Sequence, residues 1–207
     1  MCGRYSFFKP LPEVQAELGV RAADLVNWQP KFNAAPTQLM PVITNEFPGI
    51  IQFFRWGLVP KWAKDIGIGA KMINTRCESI AEKPAFKNIF KYKRCIVLAD
   101  GYYEWMAVPA APAPGSKQKI AKQPYRICLP HNEVMLLAGL WDTWGEALQT
   151  FSIITCPPNS DVGFIHDRMP VILNHQDALH WLSNDIAPQE LMKLMKPAPE
   201  GVLQWYP

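Results

Sequence analysis

The chain lacks the cysteine and histidine patterns of disulfide-stapled and zinc-binding domains. Its five cysteines are odd in number and include no C-x-x-C pair, and its four histidines add no metal-ligand spacing. A disulfide framework and a zinc ribbon are therefore not indicated, and we expect neither a metal nor another cofactor. This use of cysteine is typical of proteins in a reducing compartment.

Long hydrophobic runs and a secretory leader are also missing from the sequence. No stretch approaches the ~18 apolar residues of a membrane span, and the start of the chain has no basic-then-apolar leader pattern. We therefore expect a cytoplasmic protein without a membrane partner. A net charge of +3 neither indicates nor excludes a nucleic-acid partner, because the distribution of the basic residues decides. We find no internal repeat.

What the sequence does have is enough apolar material for one full-sized core. It contains 207 residues, of which 49% are hydrophobic and 19% charged, and eight of them are Trp, ten Phe and six Tyr. This size and composition predict one domain over residues 1–207. We expect an α+β fold with a mostly antiparallel β-sheet or barrel-like core and short peripheral helices.

Hydrophobic periodicity places the elements of this fold. Residues 95–99 form a continuous apolar run, which indicates a central strand buried on both faces. A Pro/Ala/Gly-rich stretch at about 107–119 predicts a flexible surface loop. Further strands are predicted at 3–8, 39–44, 50–56, 125–129, 134–140 and 150–155, helices at 11–18, 84–91, 175–183 and 188–195, and a loop at 28–36.

Cys2 stands directly after Met1, where processing could expose it. A small second residue permits trimming of Met1, which would give Cys2 a free α-amine beside its thiol. Reference pKa values of about 8 for such an amine and about 8.5 for a thiol leave a reactive fraction of each at neutral pH. This 1,2-aminothiol can condense with an aldehyde to an imine, which the thiol closes to a thiazolidine. The alternative is an inert cysteine near a disordered terminus.

Three further residues suit the handling of protons and carbonyl groups. Glu104 follows the apolar run 95–99 in the segment Asp100-Gly101-Tyr102-Tyr103-Glu104-Trp105, where burial would raise its pKa. His166 offers the side chain that proteins use most often for proton transfer, and Asn74 could bind a developing hydroxyl or oxyanion. Each also has a structural interpretation, and spacing alone does not bring the three together.

Seven motifs, taken in order, give the sequence a resemblance to a known family. They are Met1-Cys2-Gly3-Arg4, Asn33-x-Ala35-Pro36, Trp56-Gly57-Leu58-x-Pro60-x-Trp62, Asn74-x-Arg76-x-Glu78, Arg94-Cys95, Asp100-Gly101-x-x-Glu104-Trp105 and His166-Asp167-Arg168-Met169-Pro170. With them the chain resembles the SRAP (SOS response-associated peptidase) family over nearly its whole length. The Pro/Ala-rich stretch after Trp105 is longer than the usual turn of that family.

The resemblance implies a DNA-associated sensor of abasic sites in single-stranded DNA, including strands at single-strand/double-strand junctions. In such a monomeric protein the processed Cys2 would form a thiazolidine crosslink with the ring-opened deoxyribose, and AP-lyase activity and self-removal of Met1 are allied activities. The implied catalytic residues are Cys2, Asn74, Glu104 and His166. The implied DNA-binding residues are Arg4, Arg76, Arg168, Trp62, Trp105, Asn33 and Thr155.

Physical arguments support part of this set. Arg4, Arg76 and Arg168 lie within the reactive motifs, so three guanidinium groups would flank one pocket and could clamp phosphates if those motifs converge. Trp62 and Trp105 could stack on unpaired bases. Two other functions stay open on the sequence alone: a cysteine peptidase limited to self-maturation, and a non-covalent module that binds single-stranded DNA.

Overall fold

The computed structural model describes residues 2–23, 28–109 and 120–207. The strands in these ranges are β1 Arg4–Phe7, β2 Arg21–Ala22, β3 Lys31–Ala34, β4 Leu39–Thr44, β5 Ile50–Trp56, β6 Asn74–Arg76, β7 Arg94–Ala99, β8 Gly101–Pro109, β9 Ile120–Cys128, β10 Met135–Trp144, β11 Leu148–Cys156, β12 Met169–Pro170, β13 Ile172–Leu173 and β14 Gln204–Tyr206. The helices are α1 Leu11–Leu18, α2 Pro84–Tyr92, α3 His175–Leu182 and α4 Pro188–Leu194, with short 3-10 turns at Ile66–Lys71, Cys77–Ser79 and Pro130–Asn132.

Five strands close into a barrel at the centre of the fold. The order is β5-β4-β7-β10-β11, and parallel pairing of β11 with β5 closes the ring. Every residue of β7 is buried, because the barrel interior covers one face and the surrounding elements cover the other. Trp56 and Trp141 are buried in this core. The predicted α+β fold with a mostly antiparallel, barrel-like core is confirmed.

A second sheet carries the segment that contains Cys2. Its order is β14-β9-β8-β1-β3, all antiparallel. The β1–β8 register sets Arg4 opposite Tyr103 and Tyr5 opposite Tyr102. Side chains alternate along β8, so Tyr102 and Glu104 point into the protein while Tyr103 and Trp105 face outward. The start of the chain is therefore anchored beside Glu104 by backbone pairing.

Two expectations for the strands and loops need correction. Residues 28–36 are not a loop throughout, because β3 at Lys31–Ala34 pairs with β1 there. Residues 107–109, expected to open a flexible loop, belong to β8, which continues through Pro109, and the rest of that expected loop lies outside the described residues. β9 and β10 are joined through Pro130–Asn132 but pair in different sheets.

The helices agree with the sequence-based predictions to within one residue at each end. Pro84 and Pro188 occupy the first turns of α2 and α4, and the Asn174 side chain caps α3 by accepting from the Asp177 amide. α2 buries Phe86 and Phe90. No helix in the described ranges has the length and hydropathy that a membrane span requires.

Arg94 ties the helices to the barrel. Its side chain is 1% exposed, and its guanidinium donates to the carbonyl oxygens of Phe90, Lys91, Trp181 and Ser183. Burial lowers the pKa of the guanidinium, but arginine remains charged at any pH at which proteins fold. These carbonyl groups lie at the carboxyl ends of α2 and α3, where helices leave acceptors unsatisfied.

We expect Arg94→Met to lower the free energy of unfolding by about 2–4 kcal/mol, because buried carbonyl groups would lose their donor. Urea denaturation measures this change. Lys87→Met, an exposed change on α2, is the control and should shift stability by about 0.5 kcal/mol or less. Equal stability of the two variants would contradict the anchoring role.

Candidate active site

Cys2 is held in the body of the protein from two sides. β1 follows it directly, and the Asn74 side chain donates from Nδ2 to the Cys2 carbonyl oxygen at 2.8 Å. The thiol Sγ lies 3.8 Å from the Arg4 carbonyl oxygen, and the residue is fully buried. Asn74 itself is fixed by β6, which pairs in parallel with β11 opposite Ile153. Two residues that are 72 positions apart are thus brought into contact.

The environment of Cys2 keeps its thiol protonated. Burial raises the pKa of the thiol, and the negative charge of Glu104 raises it further. Reactive cysteines of the thiolate type sit in partly exposed, electropositive surroundings that have the opposite effect. Cys2 is therefore a neutral thiol at neutral pH.

Glu104 lies on the inner face of β8, between β1 and β9. Its side chain is nearly fully buried, and burial is the main reason that its pKa is raised. A raised pKa lets a carboxyl group hold its proton at a pH at which an exposed glutamate would have lost it. This residue is therefore a candidate to donate or accept a proton at a higher pH than an exposed glutamate.

His166 approaches Glu104 from the turn between β11 and β12. Its Nε2 lies 3.9 Å from Glu104 Oε2. The Arg168 backbone N–H donates to Nδ1 at 3.0 Å, and Asp167 Oδ1 lies 2.9 Å from the same nitrogen. One nitrogen cannot accept and donate at once. The backbone donor is fixed whereas Asp167 is exposed, so the neutral ring accepts at Nδ1 and carries its proton on Nε2, toward Glu104.

Arg168 is held by Glu78 rather than left open to solvent. The two side chains form a two-pronged ion pair at 2.5 and 3.0 Å, and Arg168 also donates to the Thr155 carbonyl oxygen at 2.6 Å. The hydrogen bonds from Arg168 are the main cause that lowers the pKa of Glu78 to about 2. Thr155 is buried; its carbonyl oxygen accepts from Arg168, and its hydroxyl donates to the Thr75 carbonyl oxygen at 3.5 Å.

The other predicted DNA-binding residues are more exposed to solvent. Arg4 donates to the Asn33 side chain at 3.2 Å on the outer face of the second sheet, and Arg76 is exposed at the end of β6. Trp105 is 38% exposed and Trp62 is 64% exposed. Trp62 lines a cavity of about 260 Å³ together with residues of α2, and none of the four predicted catalytic residues lines it.

Two residues of the site carry no role in the sequence analysis. Glu78 stands in one of the family motifs, and the structure shows that it holds Arg168. Tyr102 is fully buried, and the charges of Cys2 and Glu104 add to burial in raising the pKa of its phenol, which places it close to both. The spacing of two residues between Tyr102 and Glu104 on one strand was the available signal, because such residues share a face.

The fold and the site define a class: small β-barrel proteins whose buried reactive groups gather around a cysteine just before the first strand. A family model described as SOS response associated peptidase (SRAP) matches residues 1–207. The chain belongs to this family, which confirms the resemblance seen in the motifs.

Named relatives and a solved structure agree with this assignment. Abasic site processing protein YoaM from Bacillus subtilis (strain 168) is 39% identical over 204 residues, which cover 95% of this chain and 86% of YoaM. Abasic site processing protein HMCES from Gallus gallus is 32% identical over 209 residues, covering 83% of this chain and 59% of HMCES. A crystal structure of a protein from Bacteroides thetaiotaomicron matches with a TM-score of 0.85 at 29% identity, over 99% of this chain and 91% of that one.

We expect Arg168→Met to return the pKa of Glu78 from about 2 toward the ordinary value of about 4.3. A lowered pKa in the folded state means that the ion pair stabilises the protein above about pH 4 and that this stability is lost as the pH falls toward about 2. A carboxyl-carbon NMR titration measures the change. Arg76→Met is the matched control and should leave Glu78 unchanged. An unaltered titration in Arg168→Met would contradict the assignment of the ion pair.

Proposed function

We propose that this protein processes abasic sites in single-stranded DNA by forming a covalent adduct through Cys2 once Met1 has been removed. The observation that carries the proposal is the meeting of Cys2, Asn74, Glu104 and His166, which come from four separate segments of the chain. The naming of relatives as abasic site processing proteins supports the choice of substrate. An abasic site also lacks a base to unstack, and its open form presents an aldehyde.

The state of the thiol favours a reaction order in which the amine acts first. The α-amine of Cys2 attacks the aldehyde carbon C1′ of the ring-opened deoxyribose, and the carbinolamine loses water to give an imine. The neutral thiol then adds to the imine carbon through Sγ, while its proton passes to the imine nitrogen. The products are a thiazolidine and one water molecule. A thiolate is not needed before the imine exists, so burial of the thiol is compatible with this chemistry.

Glu104 and His166 supply and remove the protons of these steps. A protonated Glu104 can donate to the departing hydroxyl of the carbinolamine, and the resulting carboxylate regains this proton from the iminium nitrogen as the neutral imine forms. The carboxyl group can then relay the thiol proton to the imine nitrogen. His166 faces Glu104 through Nε2 at 3.9 Å and can exchange protons between Glu104 and solvent. The Schiff base also acidifies the C2′ proton, so β-elimination of the strand competes with ring closure by the thiol.

Asn74 would serve to orient the reacting residue and the sugar. Its Nδ2 holds the Cys2 carbonyl oxygen, and its Oδ1 is buried without a hydrogen-bond partner among the described residues. That oxygen can accept a hydrogen bond from a hydroxyl group of the opened deoxyribose or from the α-amine of Cys2.

We propose that the DNA strand runs along the arginines that surround the four catalytic candidates. Arg4 and Arg76 offer guanidinium groups for phosphates, whereas Arg168 would first have to exchange Glu78 for a phosphate. Trp62, Trp105, Asn33 and Thr155 remain predicted contacts of the strand. A preference for junctions, a monomeric state and a cytoplasmic location likewise stay predictions.

A cysteine peptidase of the thiolate type suits the geometry less well. Such enzymes lower the pKa of the cysteine by pairing it with a histidine, whereas Glu104 and burial raise the pKa of Cys2. His166 is directed toward Glu104. A purely non-covalent DNA-binding function would assign no role to the buried Glu104 carboxyl group or to the Cys2 thiol beside it.

Protein whose amino-terminal Cys2 has been verified by intact mass should form a denaturant-resistant adduct with abasic single-stranded DNA. The adduct mass should equal protein plus DNA less one water. Cys2→Ala should abolish this stable adduct, although its α-amine should still give an imine that borohydride traps. A denaturing gel and mass spectrometry provide the measurement. If the verified protein gives no shifted band, the covalent proposal is wrong, and equal affinity for intact and abasic strands would then favour non-covalent binding.

Glu104→Gln should slow adduct formation by about 10²- to 10⁴-fold, because the amide cannot transfer a proton. The raised pKa of Glu104 means that its acid form persists to higher pH, so the wild-type rate should decline as the pH rises through that pKa. The variant should lack this decline. Single-turnover rates between pH 5 and 9 test both points, with exposed Glu46→Gln as the control. A retained alkaline decline in Glu104→Gln would assign it to another group.

A further inference from the structure

Three aromatic rings from separate parts of the chain meet beside the proposed active site. Tyr125 of β9, Phe164 of the turn before His166, and Trp205 of β14 contact one another edge to face. Their ring centroids are 6.0 Å apart for Tyr125 and Phe164, 5.7 Å for Tyr125 and Trp205, and 5.0 Å for Phe164 and Trp205. We call these three residues the aromatic cluster. Phe164 is 49% exposed and Trp205 is 43% exposed, so large apolar surfaces face solvent.

The register of the second sheet places the cluster on the same face as Glu104. Tyr125 is directly opposite Glu104, and Trp205 is opposite Ile127, which is itself opposite Tyr102. Residues directly opposite each other in antiparallel strands share a face. The aromatic cluster therefore continues the surface that contains Glu104 and Tyr102 toward the open edge of the sheet.

The turn that carries His166 is tied to the segment that carries Trp205. The Asp161 carboxylate accepts from the backbone N–H groups of Gly201 and Leu203 at 2.9 to 3.3 Å. The Asn159 side chain donates to the carbonyl oxygens of Ala198 and Pro199 at 3.1 and 3.2 Å. The aromatic cluster is thus held in place by polar contacts, although its rings are half exposed. A rigid, half-exposed aromatic surface is the type that stacks on an unpaired base.

We propose that the aromatic cluster stacks on an unpaired nucleobase next to the abasic nucleotide, as a base subsite of the same DNA strand. The inference rests on the proposed function, because it takes the sugar to lie between Cys2 and Glu104. Phe164 stands two residues before His166, so a strand that leaves the reacting sugar on this side meets the cluster within one or two nucleotides. Stacking needs no particular base, which fits a lesion that arises in any sequence.

Phe164→Leu and Trp205→Leu test the proposal, because leucine keeps an apolar contact and removes the π face. Binding is measured in the Cys2→Ala background, which cannot form the stable adduct, with abasic oligonucleotides that carry 2-aminopurine at each position flanking the lesion. One position should show fluorescence quenching that both variants abolish. Each variant should weaken binding about 5- to 150-fold, the range for loss of one base–aromatic stack.

A second oligonucleotide distinguishes base stacking from structural support of the turn that carries His166. If the base at the quenched position is replaced by an abasic spacer, the variants should bind as the parent does, because the stacked group is gone. Equal losses on both strands would overturn the proposal and assign the cluster to support of the His166 turn. Absence of quenching at every position would also overturn it.

Phe47→Leu is the matched control. Phe47 is 49% exposed and lies two residues after Asn45. The Asn45 backbone N–H donates to the Arg94 carbonyl oxygen, at the end of β7 that is farther along the chain from Glu104. Phe47→Leu should therefore leave DNA binding unchanged. The proposed function fails separately, if wild-type protein forms no adduct. We expect both variants to bind DNA more weakly and yet to form the adduct at the wild-type rate at saturating DNA.

Discussion

The antiparallel pairing of β1 with β8 determines how Cys2 and Glu104, the centre of the proposed site, lie relative to each other. With Arg4 opposite Tyr103, continuing the register brings the residues before β1 alongside Glu104. A register shift of one residue would place Glu104 and this segment on opposite faces of the sheet. Asn74 then fixes the remaining freedom by holding the Cys2 carbonyl oxygen. A chain terminus, usually a mobile part of a protein, is in this way converted into part of a rigid site.

The interior and the rim of the site follow different electrostatic rules. Burial favours the neutral forms of both Cys2 and Glu104, so proton transfer within the pocket requires little separation of charge. At the rim, Glu78 and Arg168 are both charged and neutralise each other. Under the proposed function, phosphate groups would therefore be attracted by Arg4 and Arg76, and by Arg168 only once it has exchanged Glu78 for a phosphate.

Much of the fold and the site could be predicted from the sequence, for different physical reasons. The apolar run of β7 and the proline-initiated helices are local signals, and they were recognised within a residue or two. β3 was missed because it gains its strand character from pairing with β1, which local propensity does not show. Side-chain chemistry indicates the four catalytic candidates, but only the family motifs bring them together, since spacing cannot join groups 72 residues apart. Pairing of Glu78 with Arg168 across 90 residues had no local signal either.

Because β1 and β8 are far apart along the chain, the proposed site can assemble only late in synthesis. Residues 4 and 103 pair, so at about 5–20 residues per second the ribosome needs roughly 5–20 s between making one strand and making its partner. During that interval nothing from β8 covers Cys2, and enzymes that trim nascent chains can reach the segment before it. Under the proposed function, burial of Cys2 would then follow removal of Met1, and an aminothiol that would react with any free aldehyde would be enclosed once Glu104 has been made.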